Sequence, residues 1–325
     1  MRIAIDGMGG DFAPAQTVHG ALMAASDLGV EIALVGKPEL LTPLVGAGAG
    51  VTIVAASEEV TMGEHPARAV RAKPDSSMSV CARLCRQGQA AAWVSAGNSG
   101  AIMATAILVQ GRLRGVKRPA LGTVLPVAGG QCYFVDVGAN VGSRPEYLVQ
   151  FAHMGALYAE SVMGRPNPRV GLLSNGEEQG KGDDLVQQAH ARLIREQGLN
   201  FIGNLEPKEV LAGRADVVVA DGFVGNVAIK MAEATAEFIF RTMRDEIPRT
   251  WRGRLGGLLI RPAVAGIRQG MDWREFGGAP LLGIDGVAVV AHGRSDKVAV
   301  RNAVRVAKHT VEAGLVDKIR LRVGR

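Results

Sequence analysis

The stretch from residue 216 to 230 has the pattern of a buried strand, a glycine turn and a helix start. Val217–Ala220 is apolar throughout, as in a strand buried on both faces. Apolar residues then recur at helical spacing from Val224 to Ile239. Free N–H groups and the helix dipole at such a junction favour an anion, although an ordinary strand-to-helix turn has the same pattern. The candidate anion-binding residues in this stretch are Asp221, Gly222, Gly225, Asn226 and Lys230.

A second strand–loop–helix unit carries hydroxyl and amide groups at its tip. The predicted strand Ala91–Val94 leads into a glycine-containing loop, and an apolar helix is predicted over 102–109. Only Ala101 departs from the G-x-S-x-G nucleophile elbow, so a serine hydrolase with Ser99 as nucleophile and His292 as base is one hypothesis. A phosphate cradle is the other, because no carboxylate stands out as the third member of a triad. The candidate residues in this loop are Ser95, Gly97, Asn98, Ser99 and Gly100.

The predicted first strand, Arg2–Ile5, ends in a glycine-rich loop with two carboxylates. The glycine spacing is similar to a dinucleotide-binding fingerprint, but Phe12 stands where G-x-G-x-x-G needs its last glycine. Two carboxylates without further ligands do not make a metal site, so we predict no metal. The candidate binding residues are Asp6, Gly9, Gly10 and Asp11.

A lysine between two glycines follows the predicted strand Arg169–Leu173. The run from Gly176 to Gly182 imitates a P-loop, but it is one residue short between glycines and has no Ser or Thr after Lys181. The sequence therefore argues against a nucleotide triphosphatase. Lys181 could still reach an anion that is held elsewhere, and a solvated lysine is the alternative.

The last predicted strand, Val287–Ala291, also ends in polar residues. It leads directly to His292, the base of the hydrolase hypothesis. Ser295 follows and is predicted to cap the last long helix, which runs to about Ala313.

These residues need a globular α/β scaffold to position them. The chain has 325 residues, of which 47% are hydrophobic and 21% charged, which predicts one large α/β domain over residues 1–325 or two joined lobes. No signal peptide is predicted, because Met1–Asp6 goes straight into a strand, and no apolar run reaches the roughly 18–20 residues that span a bilayer. Three cysteines without metal-site spacing predict reduced thiols in a cytoplasm.

The net charge of +6 is concentrated in one segment. Residues 241–274 hold eight arginines against three carboxylates, a net charge of +5. Within them, 249–270 is predicted to form a basic amphipathic helical pair broken at Pro262, which suits an acidic partner, an anionic membrane surface or a dimer interface. Nucleic acid is not predicted, because aromatic residues are only 4% and no stacking motif is present. The candidate docking residues are Arg252, Arg254, Leu258, Leu259, Arg261 and Arg268.

Seven ordered blocks of the sequence together resemble one family, the bacterial phosphate acyltransferases (acyl-[acyl carrier protein]:phosphate transacylases). The resemblance runs from the first strand to the last helix, and segment 249–270 matches in position and character more than in letters. The blocks are Asp6–Asp11, Ser95–Ala101, Asp136–Asn140, Gly176–Gly182, Asp221–Lys230, Gly278–Gly283 and His292–Ser295.

The resemblance implies a Rossmann-like mixed α/β sheet with helices on both faces, similar to isocitrate and isopropylmalate dehydrogenases, in a homodimer. It implies transfer of a fatty acyl group from an acyl-carrier protein to inorganic phosphate, without a cofactor. The acyl phosphate would pass to a glycerol-3-phosphate acyltransferase of phospholipid synthesis. The enzyme would be cytoplasmic and peripherally membrane-associated.

A mechanism in which phosphate attacks the thioester directly gives several of these blocks an expected role. Lys181 would stabilise the oxyanion, Asn226 would donate a hydrogen bond to it, and His292 would orient a ligand or protonate the leaving thiol. Ser95, Asn98 and Ser99, with the backbone of Gly97 and Gly100, would hold phosphate. Asn140 would belong to the substrate site. Three other classes stay open: a dehydrogenase of the same fold, which needs a dinucleotide site; a serine acyl-thioester hydrolase; and a non-catalytic carrier-protein adaptor.

Overall fold

Short apolar runs of the sequence form the strands of one central sheet. The structure is a computed structural model and describes residues 1–46 and 50–323. Within these residues eleven strands join a single sheet. The strands are β1 (Arg2–Asp6), β2 (Glu31–Gly36), β3 (Val51–Ala55), β4 (Ala92–Ser95), β5 (Ala120–Val127), β6 (Gly130–Val135), β7 (Arg169–Leu173), β8 (Asn200–Leu205), β9 (Val217–Val219), β10 (Ala279–Leu282) and β11 (Ala288–Val290).

Helices follow most of these strands, as expected where parallel neighbours need crossover connections. A π-helical turn (Ala106–Gln110) and a 3-10 turn (Ile247–Arg249) extend two of them. The helices are α1 (Ala15–Leu28), α2 (Pro38–Val45), α3 (Pro66–Ala72), α4 (Ser77–Arg86), α5 (Ser99–Thr105), α6 (Pro145–Ser161), α7 (Asp184–Leu193), α8 (Pro207–Leu211), α9 (Gly222–Glu246), α10 (Trp251–Gly270), α11 (Trp273–Phe276), α12 (Lys297–Glu312) and α13 (Leu315–Val323).

The sheet consists of two parallel groups joined by antiparallel strands. Its order is β3-β2-β1-β4-β11-β10-β5-β6-β9-β7-β8. The first five strands are mutually parallel, and so are the last four. Between them β10 is antiparallel to β11 and β5, and β5 is antiparallel to β6. The first parallel group (β3, β2, β1, β4, β11) and the second (β6, β9, β7, β8) therefore run in opposite directions.

The average twist of a β-sheet allows the carboxyl ends of the two groups to approach a common side. Five strand steps separate β4 from β9. At about 20–25° per step, they rotate β9 by roughly 100–125° relative to β4. Combined with the reversal of direction, this rotation leaves the two strands about 55–80° apart instead of opposed. Loops at both sets of carboxyl ends can thus face one cleft.

Alternating residues of the strands fill cores on both faces of the sheet. In β1, Ile3 and Ile5 are buried in one cluster with Val304 of α12. Ala4 points the other way and shares a second cluster with Met78 of α4. A third cluster covers β6, β7 and β9 with α6 and α13. The mixed sheet with helices on both faces confirms the predicted fold class.

Two local predictions are wrong. Within segment 249–270, α10 (Trp251–Gly270) is one continuous helix across Pro262 and not a broken pair. Since this helix is exposed, water can bind the carbonyl that Pro262 leaves without an N–H donor. The cap of α12 is Asp296, whose Oδ1 accepts from the N–H groups of Val298 and Ala299 at 3.0 Å, while Ser295 is buried in the turn before it. Asp296, one residue after Ser295, therefore accepts the hydrogen bonds that the serine was predicted to accept.

The cysteines are packing residues. All three are free, and Cys81 and Cys132 are buried. Burial raises the pKa of Cys85 and Cys132 to about 12, so neither thiol ionises near neutral pH.

Among the described residues, no helix has the length and apolar character needed to cross a bilayer.

Candidate active site

Three loops at the carboxyl ends of β1, β4 and β11 meet in what we call the first loop cluster (residues 6–11, 95–100 and 292–295). Because β4 lies between β1 and β11 and is parallel to both, their carboxyl ends share one edge of the sheet. The Ser95 hydroxyl donates to Asp6 Oδ2 at 2.6 Å and accepts from Gly97 N–H at 3.1 Å. The Asp11 N–H donates to the carbonyl oxygen of Gly293 at 2.8 Å. All three predicted loops thus form one hydrogen-bonded unit.

Asp6 lies beneath this cluster and organises it. Its carboxylate is buried and also accepts from Met8 N–H at 3.1 Å. Burial raises the pKa of Asp6, and hydrogen bonds from Ser77 and Ser95 oppose that shift. Because both carboxylate oxygens already accept hydrogen bonds from the loop, the structure points to a role in holding loop geometry.

The glycines of the first loop allow close backbone approach. A Cβ at Gly9 would lie 2.6 Å from Asp6 Oδ2 and 2.9 Å from the Gly97 nitrogen. Gly10 has φ of +109°, a conformation that L side chains rarely adopt. A side chain at either position would therefore push the loops apart.

Asn98, Ser99 and Gly100 form the rim of the cluster at the start of α5, where Asn98 and Gly100 are partly buried. Asn98 caps α5, because its Oδ1 accepts from Ala101 N–H at 3.1 Å, and its Nδ2 donates to the Met62 carbonyl at 2.9 Å. Ser99 is exposed at the first helical position. The arrangement directs backbone N–H groups and one hydroxyl toward solvent, which suits an anion.

His292 follows β11, the last strand of the first parallel group. Burial lowers its pKa, Arg294 and Lys230 lower it further, and Asp11 opposes them. The ring is therefore neutral near neutral pH. Its Nδ1 accepts from Arg294 N–H at 3.3 Å, which leaves the proton on Nε2 as a donor. Lys230 belongs to α9, so this electrostatic coupling links α9 to the first loop cluster.

The second loop cluster consists of the loops after β6, β9 and β7 (residues 136–140, 220–226 and 174–183). Its centre is Asp136, which is fully buried. Oδ1 accepts from Leu121, Gly138 and Ala139 N–H groups at 3.0–3.1 Å. Oδ2 accepts from the backbone and side-chain N–H groups of Asn140, both at 2.8 Å. Burial raises the pKa of Asp136, and these hydrogen bonds oppose the shift.

The start of α9 packs directly on the Asp136 loop. A Cβ at Gly222 would lie 2.2 Å from the Asn140 carbonyl oxygen, and one at Gly225 would lie 1.9 Å from the Asp136 carbonyl oxygen. Both positions require glycine. The side chain of half-buried Asn226 lies over Gly138, whose φ is +134°.

Asp221 fixes the first turn of α9 at its N-cap. Its Oδ1 accepts from Phe223 N–H at 2.9 Å, and its Oδ2 accepts from Ser143 N–H at 2.8 Å. Asp221 therefore holds the turn that carries Asn226. Its carboxylate satisfies one N–H group of α9 and one of the loop before α6.

Lys181 extends from the loop after β7, which is the neighbour of β9 in the sheet. Its stem lies along Gly176, where a Cβ would be 2.6 Å from Lys181 Cγ. The side chain is exposed and makes no hydrogen bond or ion pair within the described part of the chain. It is thus available to an anionic ligand, but no protein contact joins it to Asn226.

Two further acidic groups near these loops were missed in the sequence. Glu233 lies one turn beyond Lys230 on α9; burial raises its pKa, while Arg294 and Lys230 oppose that shift. Asp136 was identified only as part of a block, although a strand that ends in Asp before Gly138 was a usable signal. Electrostatic coupling therefore relates two cations, Lys230 and Arg294, to the half-buried carboxylate of Glu233 between α9 and the first loop cluster.

The predicted docking residues lie apart from both clusters on α10. Leu258 and Leu259 are 65% and 75% exposed. The Arg252 guanidinium carbon is 5.4 Å from the centre of the Trp251 ring, and Arg254 donates to the Pro248 carbonyl. Arg261 and Arg268 are also exposed.

Solved structures place this scaffold in the class of phosphotransacetylase folds. A phosphotransacetylase from Streptococcus pyogenes superposes with a TM-score of 0.66 over 98% of this chain and 94% of its own, at 15% identity. A 4-hydroxythreonine-4-phosphate dehydrogenase from Klebsiella pneumoniae gives 0.55 over 96% and 99%, at 14% identity. At these identities the likeness concerns the fold alone, and a likeness to isocitrate dehydrogenases stays a prediction.

Sequence comparison then gives the family. The model of the fatty acid synthesis protein family matches residues 1–318. The phosphate acyltransferase of Heliobacterium modesticaldum is 47% identical over 98% of this chain and 96% of its own length. The chain belongs to the phosphate acyltransferase family and is a transferase. The predicted family is confirmed, and neither the hydrolase nor the adaptor hypothesis gains support.

Proposed function

We propose that this chain transfers a fatty acyl group from an acyl-carrier-protein thioester to inorganic phosphate and releases an acyl phosphate. Family membership supports the reaction type. The observation that carries the proposal is the pair of glycine-rich loop clusters, related by the electrostatic coupling of His292 and Arg294 to Lys230 of α9, which offer backbone N–H groups and cationic side chains. A glycerol-3-phosphate acyltransferase would use the product in phospholipid synthesis.

In this proposal phosphate attacks the thioester carbonyl directly. A phosphate oxygen bonds to the carbonyl carbon, a tetrahedral oxyanion forms, and the carbon–sulfur bond then breaks. Hydrogen phosphate dianion plus thioester gives acyl phosphate dianion plus thiol, so the proton of phosphate ends on sulfur. Neither an acyl-enzyme nor a cofactor is needed. The protein has to position the anion and stabilise the oxyanion.

The two loop clusters divide these tasks. The 95–100 loop and the start of α5 would hold phosphate through Ser99 and backbone N–H groups. Lys181 would supply the charge that stabilises the oxyanion, supported by its exposed and unpaired ammonium group. Asn226 would donate a hydrogen bond from the first turns of α9.

His292 would act as a hydrogen-bond donor that orients the substrate. Its ring is neutral with the proton on Nε2, and loss of that proton would create an imidazolate. Direct protonation of the leaving sulfur by this neutral ring is therefore unfavourable. Transfer of the phosphate proton to that sulfur agrees better with the charge balance of the reaction given above.

Phosphate-dependent thiol release from palmitoyl-carrier protein, with mass detection of acyl phosphate, tests the proposed reaction. Lys181→Ala should lower turnover by roughly 10²–10³, the effect of losing one oxyanion donor. Lys208→Ala is a matched control, because Lys208 is also exposed but is engaged with Glu206 at 2.9 Å. Release without phosphate that yields fatty acid, and that is lost in Ser99→Ala, would instead establish a hydrolase.

We also propose that the chain is a homodimer that acts in the cytoplasm at an anionic membrane surface. Apolar side chains are exposed along α9, where Met231 and Phe238 are 64% and 66% exposed. Such a stripe at helical spacing supports a helix–helix contact between two copies. The exposed leucines and arginines of α10 support peripheral contact with anionic lipids.

A further inference from the structure

A basic groove lies on the first parallel group, outside both loop clusters. It has a volume of about 590 Å³ and is formed by α3, α4 and the π-helical turn. Its floor includes Val70, Leu108 and Val109, and Leu108 is 47% exposed. Arg71, Arg83 and Arg86 line it.

The positive charge of the groove is only partly neutralised within the chain. Arg83 is 3.7 Å from Asp75 Oδ1, and Asp75 also accepts two hydrogen bonds from Ser57. Arg86 donates to the Val109 carbonyl at 3.0 Å. Arg71 is exposed and has no ion pair or hydrogen bond from its side chain within the described residues. Two of the three guanidinium groups therefore face no carboxylate.

The surrounding sequence strengthens this field. Residues 61–118 contain nine lysines and arginines and two carboxylates, a net charge of +7, whereas the whole chain carries +6. After the groove, Arg112, Arg114, Lys117 and Arg118 are all exposed. A positive field of this size raises the association rate of an acidic partner.

The groove is connected to the first loop cluster through two helices. The start of α3 touches the cluster, because a Cβ at Gly100 would lie 2.8 Å from Pro66 Cγ, and α3 then runs into the groove at Arg71. Helical residues likewise connect Ser99 to Val109, a span of about 15 Å at 1.5 Å per residue. A partner bound in the groove could thus present a reactive group to the cluster on a long flexible arm.

We propose that this groove docks the acidic carrier protein that delivers the acyl thioester. The inference rests on the proposed function, which requires such a donor. Carboxylates on a helix of the partner would pair with Arg71, Arg83 and Arg86, and an apolar side chain would contact Leu108. A bilayer is a poor occupant, because a flat surface cannot reach the floor of a concave groove.

Charge reversal in the groove tests the assignment. Two variants of the full-length protein are compared, Arg71→Glu alone and Arg71→Glu combined with Arg86→Glu. In each, KM for acyl-carrier protein should rise about tenfold or more, and each tenfold change corresponds to about 1.4 kcal/mol. KM for phosphate, and turnover of the small thioester acyl-pantetheine, should stay unchanged. Fluorescence anisotropy of labelled carrier protein measures the same loss of binding without turnover.

Two matched reversals locate the effect. Arg195, which follows α7 in the second parallel group, is exposed and has no side-chain partner among the described residues. Arg195→Glu should therefore leave KM for acyl-carrier protein unchanged. Arg252→Glu with Arg254→Glu tests α10. The proposal is wrong if groove variants bind carrier protein normally, if the α10 variant alone reproduces the loss, or if the groove variants instead lose binding to vesicles of anionic phospholipid.

Failure of the proposed function has a separate signature. Unaltered protein would then release no thiol in a phosphate-dependent manner from either thioester. The anisotropy experiment would still decide docking, since it needs no catalysis. Binding that weakens in Arg71→Glu would support the groove even in that case, and binding that does not weaken would overturn it.

Discussion

Replacing Gly225 with alanine tests whether close contact between α9 and the Asp136 loop sets the active geometry. A Cβ at Gly225 would lie 1.9 Å from the Asp136 carbonyl oxygen, and real Cβ contacts essentially never fall below 3.0 Å. The two backbones must therefore separate by about 1.1 Å, the difference between these distances. A misplacement near 1 Å costs roughly 10²-fold in rate. We expect kcat/KM to fall by roughly that factor, although alanine is the better helix former by about 1 kcal/mol.

Gly256→Ala on α10 is the matched control, because it also exchanges one helical glycine for alanine. Nothing lies within 4 Å of the Cβ position at Gly256. This variant should keep wild-type kinetics and melt at a higher temperature. Initial rates of phosphate-dependent thiol release and circular dichroism melting measure both outcomes. Wild-type kcat/KM in a folded Gly225→Ala protein would refute the argument that this contact positions Asn226.

Three other predictions concern stability, assembly and membrane contact. Burial raises the folded-state pKa of Asp6, so above about pH 4 the folded protein binds more protons than the unfolded protein and loses stability as pH rises. The unfolding free energy of Asp6→Asn relative to wild type, measured in urea titrations, should therefore increase as the pH rises above about 4, until the Asp6 carboxyl of the folded protein has ionised. Met231→Glu and Phe238→Glu should shift sedimentation from dimer to monomer, because each buries a charge in the proposed contact. Leu258→Glu with Leu259→Glu should reduce co-sedimentation with anionic vesicles several-fold.

Each of these predictions has a defined contrary result. A stability difference for Asp6→Asn that is independent of pH would mean that the carboxyl does not titrate differently in the folded state. Leu321→Glu on α13 also places a charge on an exposed apolar position, and it should leave the dimer intact. Monomers in all three glutamate variants, or in none, would contradict a contact through α9. Unchanged vesicle binding after the double leucine substitution would remove α10 from the membrane contact.

The strands and the loops at their ends could be predicted from local sequence. Buried parallel strands such as Val217–Val219 need continuous apolar runs, and glycine with polar residues must follow them. β8 and α13 were not predicted. β8 is an edge strand with polar Asn200 and Asn204, so its sequence lacks a continuous apolar run. Whether these weaker patterns form regular structure depends on packing against the rest of the sheet.

The site could be predicted only in part, because its centres depend on contacts between distant segments. Lys181, Asn226 and His292 stood out as polar residues in glycine-rich loops. Asp136 did not, since its role depends on N–H groups from Leu121 and from the loop packed under α9. Glu233 resembles any exposed helix residue until its neighbours, Lys230 and Arg294, are known.

The two buried carboxylates explain how the glycine-rich loops of this protein keep a defined shape. Asp6 and Asp136 each lie at the end of a strand and accept hydrogen bonds from the loop that follows. Burial makes their ionised forms costly, and the N–H and O–H donors offset that cost only while the loop keeps its shape. Any distortion that removes a donor leaves an unsatisfied buried group, so the carboxylate resists it. Since these inward N–H groups are occupied, the phosphate site that we propose would use N–H groups on the outer rim, at the starts of α5 and α9.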